Sequence, residues 1–181
     1  QQALDLGISL IHQELNLADN LDVGANIFLG REPLRNGFID RQTIRAEAQK
    51  YLDMIGLTVS PETRVSSLTI GHQQMIEIAK ALAVNARVLI LDEPTSNLDA
   101  VARREVSDIL LELRSRGTTI FLCSHILSEV ESVCDRVAIL QGGQLQKVGT
   151  LEELSAATGS RMVVRELSPG LLEALSATAA Q

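Results

Sequence analysis

The sequence has no tryptophan, one tyrosine and three phenylalanines among its 181 residues, so aromatic side chains make up 2% of the chain. That scarcity removes the platform on which single-stranded nucleic acids stack. Basic residues are short as well, since 16 lysines and arginines face 23 aspartates and glutamates and leave a formal net charge of −7. Such a balance assembles no basic stripe, and nucleic acid is not expected among the partners. There are two cysteines, Cys123 and Cys134, and neither has histidine or cysteine companions at metal-ligand spacing. A zinc site is not expected, and both side chains read as buried free thiols. No apolar run nears the ~20 residues needed to cross a bilayer, and the start lacks the charged and apolar regions of a signal peptide. Any link to a membrane is expected to run through a partner. Internal repeats are also lacking.

What is present is a globular composition, 45% hydrophobic and 22% charged, in a length that fits one domain or a large piece of one. The stretch with the most information is Val88-Leu89-Ile90-Leu91-Asp92-Glu93-Pro94-Thr95. Four consecutive apolar, mostly branched residues read as a strand buried on both faces of a parallel sheet, with two carboxylates at its end. Ligands of open α/β sheets bind at that end. There an aspartate can hold Mg²⁺ on a nucleotide, usually through water, and the adjacent glutamate can reach a water lined up on the terminal phosphate. Asp and Pro are also ordinary turn residues, so the pair alone fits a plain strand-end turn.

In chain order, Gly7 to Ile11 reads as a short buried strand that delivers His12-Gln13-Glu14. Residues 23–37 read as a loop with at most a short helix inside, punctuated by Gly24, Gly30, Pro33, Asn36 and Gly37. Asp40 caps a predicted helix with Ile44, Ala48, Tyr51, Leu52 and Ile55 on one face, ended by Gly56. Leu68-Thr69-Ile70-Gly71-His72-Gln73-Gln74 opens the next helix. A hydroxyl and a glycine at a helix start can bind an anion through unpaired N–H groups, although Thr69 also fits a simple cap. Asp99 caps a helix carrying Val106, Ile109, Leu110 and Leu113, which Gly117 ends, and Thr118 to Cys123 reads as a second buried strand tipped by Ser124-His125. The remainder reads as a helix over 128–134, a hairpin from Val137 to Val148, a capping box of Thr150 with Glu153, and a last helix opened by Ser168-Pro169. The alanine-rich end is expected to fray.

Several of these stretches together resemble one family. VLILDEPTSNLD is similar to the Walker B strand and D-loop of ATP-binding-cassette (ABC) ATPases, and LTIGHQQ to their signature LSGGQ, with Thr69, Ile70 and His72 in the serine, first-glycine and glutamine places. GISLIHQELNLADNLDVGANIFLGREP closely resembles the Q-loop region of bacterial sugar importers of the ribose and xylose kind, and His125 resembles the H-switch. The likeness runs from about Gly7 to about Leu154.

This resemblance implies an α/β, partial P-loop NTPase fold: a mostly parallel sheet with flanking helices and an α-helical subdomain over about 24–86. It implies a partial ABC ATPase domain over residues 1–159, with 160–181 as a tail or the start of a following segment. By the same resemblance Glu93, His125 and Gln13 are catalytic, Asp92 and Gln13 face Mg²⁺, and Thr69, Gly71, His72 and Asp99 face the ATP. The partners it implies are a transmembrane permease subunit and a second ABC ATPase domain, at the cytoplasmic face of the membrane. The implied activity is ATP hydrolysis coupled to carbohydrate import. An exporter is the alternative, because SHILSEVESVCDRVAILQGGQLQKVGTLEEL is similar to drug and polysaccharide exporters. A cassette that only pairs with an intact one is another.

Two departures from the family pattern stand out. No G-x-x-x-x-G-K-[ST] run occurs, so the expectation is a lost N-terminal segment, and 181 residues that alone neither bind ATP tightly nor hydrolyse it. Ile70 is a β-branched residue in a glycine place, where positive φ or close backbone approach would exclude it, so a weakened signature is expected.

Overall fold

The structure, a computed structural model, describes residue 3 and residues 6–156. The expected last helix and frayed end lie outside the described residues. The chain forms two compact units, Gln1–Cys134 and Asp135–Gln181, each of which is described by itself.

The first unit is built on three parallel strands, β1 (Ile8–Ile11), β4 (Val88–Asp92) and β5 (Thr119–Cys123), with β4 in the middle. Ile8 pairs with Val88 and Ile11 with Leu91, while Val88 pairs with Thr119 and Asp92 with Cys123. This register puts Ser9, Ile11, Leu89 and Leu91 on one buried face, with Ile120 and Leu122 partly buried beside them. Leu10 at 50% and Phe121 at 58% exposure stand on the opposite face. The expectation of strands buried on both faces is therefore corrected: all three are buried on one. Helices of the first unit bury their apolar stripes in the cluster that contains Leu89 and Leu91, and Leu10 and Phe121 are not part of it. Cys123 is corrected with its strand. It is free but exposed, and Cys134 is only partly buried.

Between β1 and β4 lie α1 (Val23–Ile27), a hairpin of β2 (Leu34–Arg35) with β3 (Phe38–Ile39), α2 (Arg41–Met54) and α3 (Ile70–Leu82). The short helix expected inside 23–37 is α1, capped by Asp22, which accepts from Ala25 N–H. The hairpin was not expected, and it puts β-structure inside a stretch read as all-helical. Its two-residue turn is Asn36-Gly37, with φ of 54° and 83°, and Asn-Gly is the pair that a primed turn selects. Strands of two residues are too short to carry a period, which is why only the turn residues registered.

In α2, Asp40 accepts from Gln42 N–H, Thr43 N–H and the Thr43 hydroxyl. The Thr43 bonds above all hold its carboxyl below the usual aspartate value. Ile44, Ala48 and Leu52 form the buried stripe, and Gly56, at φ 70°, ends the element as read.

The centre of the unit is α3, with Met75, Ile76, Ile78, Ala79, Ala81 and Leu82 all buried. It packs on α1, α2, β1 and α4 (Ala100–Ser115). A helix enclosed on that many sides leaves polar residues little room, and Glu77 is buried with them. The Glu77 carboxylate accepts from Asn16 N–H at 2.8 Å, and the Lys80 ammonium donates to Asn16 C=O at 2.8 Å. Both backbone polar groups of one residue, three after Gln13, are thus gripped by side chains one turn apart on α3.

The crossover from β4 to β5 is α4, whose stripe of Val106, Ile109, Leu110 and Leu113 is buried as read. After β5 comes α5 (Leu127–Val133). In the second unit β6 (Val137–Gln141) and β7 (Gln144–Gly149) pair antiparallel around Gly142-Gly143, and α6 (Leu151–Ala156) follows. The capping box is formed in both directions, Glu153 N–H to the Thr150 hydroxyl and Thr150 N–H to the Glu153 carboxylate.

Candidate functional site

Parallel pairing decides which side chains meet at the carboxyl edge of the sheet. Asp92 is level with Cys123, and Glu93 N–H extends the ladder by one more bond to Cys123 C=O at 2.9 Å. One residue past β4 and two past β5, the Glu93 carboxylate meets the His125 ring, with Nδ1 and Oε2 2.7 Å apart. An ionised carboxylate only accepts, so Nδ1 carries the proton and Nε2 is left for another partner. Glu93 is 22% exposed and His125 72%, so the pair sits at the rim, open to a ligand. Glu93 takes this position with φ of 46°, left-handed backbone that a glutamate rarely adopts. Such conformations persist where surrounding structure over-determines them, often at functional sites.

The surrounding structure here is a buried carboxylate that sequence reasoning missed. Glu129, on α5, is 6% exposed and accepts from the hydroxyls of Thr95 and Ser124. Ser124 Oγ in turn accepts from Ile126 N–H. The signal was available: Glu129 stands four residues before Val133, on the face where the helical period calls for an apolar side chain.

The residues assigned to nucleotide contact gather at two helix starts. Thr69 caps α3 by accepting from His72 N–H, and Asp99 caps α4 by accepting from Ala102 N–H. His72 lines a cavity shared with the end of α2 and with Glu105, Asp108 and Glu112 of α4. Gly71 is where the helices touch, since a Cβ there would lie 2.7 Å from Ala102 Cβ. The close approach expected of a glycine falls on Gly71. Ile70 is the first residue of α3, 54% exposed and outside the left-handed backbone that among described non-glycine residues is confined to Asn36, Asn85 and Glu93. The backbone of this segment therefore accepts a β-branched side chain at Ile70. Gly71→Ala should destabilise the fold by about 1–3 kcal/mol through overpacking, and adding Ala102→Gly should return most of it. Denaturant midpoints of the two variants check this.

Asp92 and Gln13 follow neighbouring strands to the same edge of the sheet, and both are exposed. A carboxylate and an amide oxygen are the hard donors that Mg²⁺ takes. A site with few protein ligands suits an ion that keeps water and phosphate oxygens around it. The described residues hold no group of three or more His, Cys, Asp or Glu that could close around a metal. Partial burial, then the charges of Asp92 and Glu93, push the Cys123 thiol above its ordinary value. Alkylation of Cys123 at mildly alkaline pH should accordingly be slower than that of an unperturbed thiol, and Glu93→Gln should speed it. Mass spectrometry resolved by peptide separates this signal from Cys134.

Parallel strands with these side chains at their carboxyl edge, and helices packed on one face, are those of an ABC ATPase cassette, a P-loop NTPase fold present here in part. The chain belongs to the ABC transporter family, whose profile matches residues 1–96. It is 42% identical over 159 residues to the ribose import ATP-binding protein RbsA 3 of Rubrobacter xylanophilus, covering 88% of this chain and 32% of that protein. It is 43% identical over 169 residues to the xylose import ATP-binding protein XylG of Geobacillus kaustophilus, covering 93% of this chain and 34% of that one. The chain thus spans about a third of the length of these curated relatives. Among solved structures it is similar to the dimeric ATP-binding cassette MJ0796 in a post-hydrolysis state bound to ADP and Pi. That match has a TM-score of 0.65 at 25% identity and covers 80% of this chain and 62% of the other. No described helix is long and apolar enough to cross a membrane.

Proposed function

We propose that this chain is part of the ATP-hydrolysing subunit of a carbohydrate importer, working as a pair of cassettes beneath a transmembrane permease at the cytoplasmic face. The observation that carries the chemistry is the Glu93–His125 contact of 2.7 Å at adjacent parallel strand ends. The sugar assignment rests on the ribose and xylose import relatives. Asp92 and Gln13 would hold Mg²⁺, and bound Mg·ATP supplies a terminal phosphoryl group for transfer to water. Glu93 accepts the proton of the attacking water, while its bond to His125 Nδ1–H fixes the ring so that Nε2 faces the reacting edge. Thr69, Gly71, His72 and Asp99 act on the nucleotide held by the opposite cassette. The test is ATP hydrolysis by the cassette pair with its permease in liposomes, with a sugar-loaded binding protein on the other side. Stimulation by a pentose or hexose is the expected result. Stimulation by no sugar, with export of a drug or polysaccharide instead, would overturn the import reading.

A further inference from the structure

Glu129 touches neither Glu93 nor His125, yet its two oxygens reach the loops that carry them. Thr95 is two residues after Glu93, and Ser124 immediately precedes His125. The Thr95 hydroxyl donates to Oε1, and the Ser124 hydroxyl donates to Oε2 at 3.0 Å. Thr95 is itself 3% exposed, so this link lies inside the protein and away from the solvent-facing rim.

A carboxylate in such a place is costly unless its lone pairs are used, and a well-packed apolar residue usually serves stability as well or better. The apolar alternative would be simple here, because Glu129 shares the buried face of α5 with Val133. What the carboxylate does and an apolar side chain cannot is hold two hydroxyls on two different loops at once. The backbone contributes less between these loops. Beyond the Glu93 N–H to Cys123 C=O bond, the chain after β4 turns on itself, Ser96 N–H to Glu93 C=O and Leu98 N–H to Thr95 C=O.

We propose that Glu129 is a positioning residue: it ties the loop after β4 to the loop after β5, so that Glu93 and His125 are held against each other as one unit. This rests on the reading of Glu93 as the base. A pair on two independent loops would drift apart, and displacement of about 1 Å at a reacting centre can cost about 100-fold in rate. The left-handed backbone of Glu93 belongs to the same account, since Thr95 anchors the strained turn from its far side.

The test is steady-state ATP hydrolysis by the functional protein and its partners, with Glu93→Gln in the same assay. Glu129→Ala should lower kcat by roughly 10- to 100-fold while the KM for ATP stays within about twofold. Glu129→Gln, which still offers one acceptor and one donor, should recover most of that loss. Thr95→Val, which removes one hydroxyl and keeps the shape, should lower kcat and add little in the Glu129→Ala background, because both cut the same link. If Glu129→Ala fails to fold, Thr95→Val and Ser124→Ala read the link from its other ends, and wild-type kcat in both overturns the proposal. Equal losses in Glu129→Ala and Glu129→Gln, matched by equal falls in melting temperature, would reduce Glu129 to a packing residue. Full activity in Glu129→Ala beside a dead Glu93→Gln overturns the role of Glu129 alone. Full activity in Glu93→Gln overturns the functional reading itself.

Discussion

In the functional protein assembled with its partners, Glu93→Gln is expected to leave nucleotide binding intact and to lower turnover about 10²–10⁴-fold, the range in which a positioned base contributes. The substitution is close to isosteric, so the left-handed turn at φ 46° and the hydrogen bond from His125 Nδ1–H both survive. What is lost is an atom able to take a proton. His125→Ala should also act on turnover more than on binding, because it removes the group that orients the carboxylate. Binding by calorimetry and turnover by phosphate release, measured on the same preparation, separate the two effects. An unchanged rate in Glu93→Gln would mean that another group handles the proton.

Asn26→Ala should be among the most destabilising single changes in the first unit, at about 3 kcal/mol or more. Asn26 has no exposed surface, and its side chain accepts from Ala18 N–H at 2.7 Å and donates to Ala18 C=O at 3.1 Å and Asp22 C=O at 3.0 Å. Each polar group stranded in the interior costs about 1–3 kcal/mol, and alanine leaves these backbone partners without the amide and a void beside them. Asn26→Asp should fare little better, since it keeps the acceptor but turns both donor contacts into repulsion. Urea unfolding gives the number, and a loss under about 1 kcal/mol would mean that water reaches the Ala18 peptide.

The contrast between these two residues marks what a sequence discloses. The strand-end places of Asp92, Glu93 and His125 were legible because a run of branched apolar residues announces a strand, whereas the meeting of Glu93 with His125 came only with the pairing of β4 and β5. Asp40, Thr69, Asp99 and Thr150 were legible because a helix cap is a local affair of three or four residues. Asn26, Glu77 and Glu129 were not. Each is a polar residue with a partner beyond its own helix, and nothing in the sequence announces a contact between Glu129 and Thr95 across a crossover helix. The burial of β4 and β5 was overread for a related reason. Apolar runs report what a strand can bury, while Leu10, Phe121 and Cys123 report which faces the described chain covers.

The grip of Glu77 and Lys80 on the Asn16 peptide makes α3 the arm of a lever. The two side chains hold the N–H and the C=O of the same residue, so neither peptide plane that meets at its Cα can swivel freely without lengthening one bond or the other. Any tilt of α3 that keeps both bonds must drag Asn16 with it. Gln13 is three residues upstream, within a span of about 10 Å at full extension. The segment that leads from β1 is thus moored to the central helix rather than to its own strand.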